Sequence, residues 1–338
     1  MSFLMMDLLG TSASEQELEQ LQHPMVGGLI LFSRNYENRR QLCQLIASVR
    51  QVAPNILIAI DHEGGRVQRF RDEFTHIPAM AAILPAANGD ISKAKAWCVE
   101  LGYLMAVELL SCDIDLSFAP VLDVNGISEV IGSRAFSDDP NLVAQLAESF
   151  IEGMNQAGMS AVGKHFPGHG SVQADSHIAK PVDTRTQEQI ERLDMQPFIK
   201  LMAKDKLQGV MPAHVIYEQV DPNPAGFSQY WLQQVLRQQL DFNGVIFSDD
   251  LGMKGAGVVG GYLARAKAAL TAGCDMILLC NDSKGVAEVL SQLSWPVKSD
   301  NVAAKLCADK QQVAIALADE QRWLSAKALA ESIQAVKL

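Results

Sequence analysis

Eight short apolar runs, separated by longer amphipathic segments, set the tightest limit on how this 338-residue chain can fold. The runs are Phe3–Leu9, Gly27–Phe32, Asn55–Asp61, Ile114–Val124, Ser160–His165, Gly209–His214, Gly244–Asp249 and Cys274–Cys280. Most are continuously apolar rather than alternating, as strands buried on both faces are. Between them, Glu15–Leu21, Asn38–Val52, Ile91–Ser111, Asn141–Ala157, Thr186–Lys204, Gln229–Leu240 and Tyr262–Ala272 read as helices. In Asn141–Ala157, for example, Leu142, Leu146, Phe150 and Met154 recur every fourth residue and form one apolar stripe, with Pro140 before it and Gly158 after. Strand alternating with helix predicts a parallel sheet, and eight such units close into an α/β (β/α)8 TIM barrel. An open doubly wound sheet is the competing architecture, but no Gly-x-Gly-x-x-Gly opens a helix after the first strand. Residues from about 283 to 338 are expected to add extra C-terminal helices to a single domain spanning 1–338.

Charge and cysteine usage remove several classes. The formal net charge is -11 and no block of Lys or Arg forms a basic face, so no nucleic-acid partner is expected. None of the six cysteines forms a C-x-x-C pair, which argues against a zinc cage or a disulfide framework. The N-terminus lacks a secretory pattern, and no apolar run approaches the roughly 20 residues needed to span a bilayer. A cytoplasmic protein without membrane contact is the expectation.

The chemistry concentrates where the apolar runs end. Lys164-His165-Phe166-Pro167-Gly168-His169-Gly170, followed by Asp175-Ser176-His177, places one lysine, three histidines and an aspartate within fourteen residues. Pro167, Gly168 and Gly170 rule out a regular helix through it, so it reads as a strand end entering a loop. Other runs end in Asp61-His62-Glu63, near Asp123, in Pro212-Ala213-His214, in Ser248-Asp249-Asp250 and in Asn281-Asp282. In a (β/α)8 barrel this is the active-site end. Carboxylates that accept from hydroxyls, beside Lys and Arg that donate to them, suit a polyhydroxyl ligand. The same set supplies what glycoside cleavage requires: a carboxylate beside the anomeric carbon and an acid beside the leaving oxygen.

Five pieces match a known family: Asp61-His62-Glu63-Gly64-Gly65-Arg66-Val67-Gln68-Arg69, Gly132-Ser133-Arg134-Ala135-Phe136, Lys164 to Gly170, Asp175-Ser176-His177 and Ser248-Asp249-Asp250-Leu251. On these the chain resembles the bacterial β-N-acetylglucosaminidases (β-hexosaminidases) of glycoside hydrolase family 3, the single-domain cytoplasmic type. The resemblance implies a retaining two-step mechanism. Asp249 would be the nucleophile, His177 the general acid and then base, and Asp175 the group that orients His177. Asp61, Arg69, Arg134, Lys164 and His165 would hold the sugar. The implied substrate is a terminal non-reducing GlcNAc on 1,6-anhydro-MurNAc, with or without peptide, in peptidoglycan recycling. The implied chemistry needs no metal or organic cofactor, and the resemblance implies a monomer, although no sequence feature fixes the oligomeric state. Adjacent strand residues point to opposite faces, so the residues alone do not choose between Asp249 and Asp250; the resemblance selects Asp249.

Three other readings compete. A metal-dependent hydrolase would use His165, His169 and His177 with Asp175, but Pro167 and Gly168 break the helical spacing that lets His-x-x-x-His grip zinc. A phosphorylase on the same scaffold would replace water by phosphate. A sugar-binding barrel would bind without turnover. The tryptophans, Trp97, Trp231, Trp295 and Trp323, are read as packing residues.

Overall fold

In a computed structural model of the chain, describing residues 2–173, 181–296 and 305–335, the eight runs form eight parallel strands. They are β1 (Leu4–Asp7), β2 (Val26–Leu31), β3 (Leu57–Ile60), β4 (Leu116–Ser117), β5 (Val162–Phe166), β6 (Gly209–Pro212), β7 (Val245–Asp250) and β8 (Met276–Leu278). Their order is β4-β3-β2-β1-β8-β7-β6-β5. The two ends meet through the Val121–Lys164 bridge and the bonds Val162 N to Ala119 O (2.9 Å) and Leu122 N to Lys164 O (2.7 Å). The sheet is thus wrapped into the expected barrel.

Both faces of each strand are buried, against different partners. Met5, Ile30, Leu57, Ala59, Phe118, Val162, Met211, Val245, Phe247 and Leu278 pack together inside the barrel. Their strand neighbours Leu4, Met6, Leu29, Leu31, Ile58, Ile60 and Ile246 pack outward against the helices. Alternation with a period of two, both sets apolar, is what makes the runs continuous in the sequence.

The helices are α1 (Glu15–Leu21), α2 (Arg39–Val52), α3 (Met80–Ala86), α4 (Ile91–Leu110), α5 (Pro140–Gln156), α6 (Gln187–Arg192), α7 (Gln196–Met202), then Tyr230–Gln239, α8 (Tyr262–Ala272), α9 (Ser283–Gln292), α10 (Lys310–Ala318) and α11 (Glu320–Gln334). Local chemistry fixes their starts: Ser14 and Glu17 form a capping box, and Asn38, Asp90 and Asp139 accept from early backbone N–H groups. The single helix expected over Thr186–Lys204 is two helices. Pro197 sits in the first turn of the second helix, where its missing N–H costs nothing, and the Asp194 side chain just before it is turned inward onto Arg185 rather than continuing a turn. Helix α3 and a small hairpin, His62–Gly64 with Val67–Gln68, were not among the elements expected from the sequence. Helices α10 and α11 lie on α4, tied by Tyr103 Oη to Ala316 O (2.9 Å) and Trp323 Nε1 to Glu108 Oε1 (3.0 Å). Among the described residues no helix is long and apolar enough to cross a membrane.

Candidate active site

The inward face of several strands, continued two residues further, arrives at the same place: Ala59 leads to Asp61, Val162 to Lys164 and Phe247 to Asp249. The barrel interior is apolar and sealed, so the polar residues of the inward register gather at its C-terminal mouth. A cavity of about 360 Å³ opens there, lined by Asp61, Glu63, Arg69, Arg134, Lys164 and Asp249 among others. That is room for a small ligand of sugar size. His62 follows the outward register instead. It is buried against Phe74, and burial first, then Arg71 and Arg69, push its imidazole down to about 3.

Paired charges form one wall. Lys164 Nζ lies 2.8 Å from Asp61 Oδ1 and 2.6 Å from Glu63 Oε1. Arg69 Nη2 reaches Asp61 Oδ2 at 2.8 Å, and Arg134 grips Glu63 with two contacts of 2.8 Å. Burial opposes ionisation of Asp61 and Glu63 and is the largest single influence on each, yet Lys164 together with Arg69 at Asp61 and Arg134 at Glu63 outweighs it, and both carboxyls fall below their ordinary range. Burial likewise works against the Lys164 ammonium, and Asp61 and Glu63 overcome it, so its value rises. Asp61, Glu63 and Lys164 are therefore charged at neutral pH, and the network holds their positions before any ligand arrives.

A second chain of contacts fixes the histidines. Asp123, fully buried at the end of the β4 segment, accepts from His165 Nδ1 at 2.7 Å and from the His169 backbone N–H at 2.7 Å. The acceptor on Nδ1 leaves His165 Nε2 toward the cavity, 3.4 Å from Arg134 Nη2. Gly170 fits here because it has no side chain: a Cβ would sit 1.6 Å from Val124 O. Burial lowers the His169 imidazole, which also lines the cavity, although the nearby Asp123 draws it the other way.

Two adjacent aspartates end β7. Asp249 continues the inward register of Val245 and Phe247. Its Oδ1 accepts from the Asp250 N–H at 2.8 Å, and among the described residues it pairs with no cation. Asp250 is bent back, its Oδ1 accepting from the N–H groups of Gly252 (2.8 Å) and Cys280 (3.1 Å). Burial pushes its carboxyl up to about 6 against those two donors. His214, buried behind them at the end of β6, meets Asp250 O with Nε2 at 3.2 Å and stacks on Phe227 at 5.2 Å.

Of the residues singled out from the sequence, the structure brings Asp61, Arg69, Arg134, Lys164, His165 and Asp249 to one cavity. Asp175 and His177 lie outside the described residues. Glu63, His169 and Asp250 also line the cavity and Asp123 stands behind it; from the sequence Asp250 was the rival to Asp249 and His169 a ligand only in the metal reading, while Glu63 and Asp123 were strand-end residues without an assigned role. The register would have found Glu63, two residues past Asp61, whereas Asp123 depends on contacts across the closing seam. Among the described residues no cluster of three His, Cys, Asp or Glu groups is placed to hold a metal ion.

Comparison with known proteins places these features in a family. Residues 3–312 match the glycosyl hydrolase family 3 N-terminal domain. A β-hexosaminidase of Shewanella frigidimarina is 65% identical over 334 residues, 98% of each chain. One of Tolumonas auensis is 56% identical over 297 residues, 88% of each chain. The crystal structure of NagZ from Neisseria gonorrhoeae in complex with N-trifluoroacetyl-D-glucosamine matches with a TM-score of 0.91 at 40% identity, covering 98% of both chains.

Proposed function

Because this chain belongs to glycosyl hydrolase family 3 and is a β-N-acetylhexosaminidase, we propose that it removes terminal non-reducing GlcNAc by double displacement with net retention. In the first step an Asp249 oxygen bonds to C1 from the face opposite the leaving group. The C1–O bond breaks, and His177 gives its proton to the departing oxygen. In the second step water attacks C1, His177 takes the water's proton, and the Asp249–C1 bond breaks to release the sugar with its original configuration. Asp175 orients His177. A histidine suits this double role because its ordinary value near 6.5 lets it donate and accept near neutrality.

The observation that carries the reading is the contrast within one cavity. Asp61, Glu63, Arg69, Arg134 and Lys164 are committed to each other, whereas Asp249 faces the same space with no cationic partner among the described residues. A nucleophile needs a free lone pair and a rigid mount, and the end of β7 supplies the mount. The paired groups keep unused lone pairs and N–H bonds for sugar hydroxyls, with His165 Nε2 beside them. The amino-sugar ligand in the Neisseria NagZ complex supports a GlcNAc-type ring in this pocket.

The physiological substrate in this reading is GlcNAc linked to 1,6-anhydro-MurNAc, with or without peptide, turned over in the cytoplasm during peptidoglycan recycling. The deciding experiment traps the enzyme with a slow 5-fluoro or 2-fluoro amino-sugar donor and maps the label by peptide mass. A label on Asp249 is the expected result. A label on Asp250, or none despite turnover, refutes the assignment. Sugar 1-phosphate formed in phosphate buffer would replace hydrolysis by phosphorolysis.

A further inference from the structure

One guanidinium ties together the two ends of the chain stretch that separates Ser171 from Asp183. Arg185 places Nη1 2.8 Å from Asp194 Oδ2. It also places Nη2 2.6 Å from Asp183 Oδ2 and Nε 3.0 Å from Asp183 Oδ1. The other oxygen of Asp194 accepts from Ser171 Oγ at 2.9 Å. Tyr217 makes a second tie. Its hydroxyl donates to Gly168 O at 2.6 Å, while Ile216–Tyr217 pairs in parallel with Val182–Asp183. Gly168 lies against Asp194 so closely that a Cβ would come within 2.4 Å of the Asp194 Cβ. The entry side (Gly168, Ser171) and the exit side (Asp183) are thus joined through Arg185 and Asp194.

The cluster costs more to build than an apolar plug. The Asp183 and Asp194 side chains are 2% and 0% exposed. Buried ion pairs contribute little stability that well-packed apolar residues would not match. What a forked guanidinium adds is direction, since two planar carboxylates must take up one geometry around it. None of Asp183, Arg185 or Asp194 lines the cavity, so none is there to touch the sugar.

We propose that Arg185 is a positioning residue for the reaction: by clasping Asp183 and Asp194 it fixes where the chain carrying Asp175 and His177 leaves and rejoins the barrel. The inference rests on the reading of His177 as acid and base. It concerns only the ends of that stretch, which the structure describes.

Leaving-group dependence tests it. Dinitrophenolate leaves a GlcNAc glycoside without needing a proton, whereas the sugar leaving group of a GlcNAc disaccharide needs one, and kcat/KM reports the bond-breaking step for both. General acid catalysis is worth about 10²–10⁴-fold. Arg185→Met should therefore lose at least about tenfold more on the disaccharide than on the dinitrophenyl glycoside, with Arg185→Lys recovering part of the difference. Ser171→Ala cuts only the entry tie, leaves every buried charge paired, and should show the same selective loss to a smaller extent; it keeps the test alive if Arg185→Met does not fold. His177→Ala serves as the reference. Equal losses on both substrates, or none, in the Arg185 and Ser171 variants while His177→Ala is selective would overturn the clasp. A His177→Ala variant without selectivity would overturn the acid/base reading instead, and the clasp's catalytic role with it.

Discussion

Replacing Lys164 with methionine measures what the paired wall of the cavity is worth, because the apolar stem stays and only the ammonium leaves. The wild-type Nζ sits 2.8 Å from Asp61 and 2.6 Å from Glu63, with the side chain 3% exposed. Removing one member of a buried pair costs roughly 3–5 kcal/mol, since the partner charge is left uncompensated. Here neither carboxylate is abandoned, because Arg69 remains on Asp61 and Arg134 holds Glu63 through two bonds. The loss belongs at the low end, about 3 kcal/mol. A domain with a stability of about 5–15 kcal/mol stays folded through that.

The pH dependence has a definite sign. The Lys164 value is raised, so its contribution is complete below the free-lysine value and is lost only as pH climbs through the higher native one. The Asp61 and Glu63 values are lowered, so theirs is complete above the ordinary carboxylate range and is lost as pH falls through the native values. The windows overlap from about pH 6 to about pH 9. Across it the wild-type and variant curves should run parallel, and they should converge in acid. Urea unfolding at several pH values, with an unchanged m-value, reads this directly. A loss under about 1 kcal/mol at pH 7, or a gap that widens in acid, would refute the account. So would a Lys164→Met/Asp61→Asn double variant no more stable than the two single losses predict by addition.

Further expectations concern single carboxylates. Asp249→Ala should lower kcat by on the order of 10⁴-fold or more while unfolding free energy changes by under about 1 kcal/mol, because no ion pair among the described residues is broken; residual turnover within tenfold of wild type would contradict it. Asp250, raised to about 6, gives a stability contribution that is present below its unfolded value of 3.8 and lost as pH rises through about 6. Asp250→Asn should remove a loss of about 3 kcal/mol between acid and neutral pH, seen as a flatter urea-midpoint profile; superimposable profiles would sink it. Asp123→Asn weakens the acceptor that orients His165 and should raise KM about tenfold with a smaller effect on kcat, whereas an unchanged KM would detach Asp123 from sugar binding.

Much of this was legible from the runs alone. A continuous apolar strand buried on both faces has a register, and carrying it two residues past its end takes Ala59 to Asp61, Val162 to Lys164 and Phe247 to Asp249. The same rule sends His62 outward, away from the cavity despite its place in a polar motif. Three things escaped it. The Thr186–Lys204 segment kept a helical pattern although a buried Asp194 interrupts it, because the partner that turns Asp194 inward, Arg185, lies outside the segment. Asp123 serves His165 and His169 across the seam where the barrel closes, a contact between distant parts of the chain. Asp250 stands beside Asp249 with the same chemistry and lines the same cavity, and only the backbone donors at Gly252 and Cys280 show that one of its oxygens is already committed.

The two kinds of charge in this barrel mouth have different physical duties. Lys164, Arg134 and Arg69 with Asp61 and Glu63 have already exchanged water for each other, so little reorganisation remains when a sugar replaces the last solvent; such preorganised groups favour one pose and one trajectory at C1. Asp249 has no such commitment among the described residues, which leaves its lone pairs to the electrophile. A barrel suits that division because rigid strand ends mount both sets within one cavity. In the proposed mechanism the proton comes from the other side of the sugar, where His177 supplies it from a stretch beyond the strand. An acid carried off the rigid frame needs its anchorage built separately, and Ser171, Asp194, Arg185 and Asp183 form a continuous polar chain at that junction. If that is their role, ions buried away from the cavity should govern proton transfer while leaving activated substrates nearly untouched.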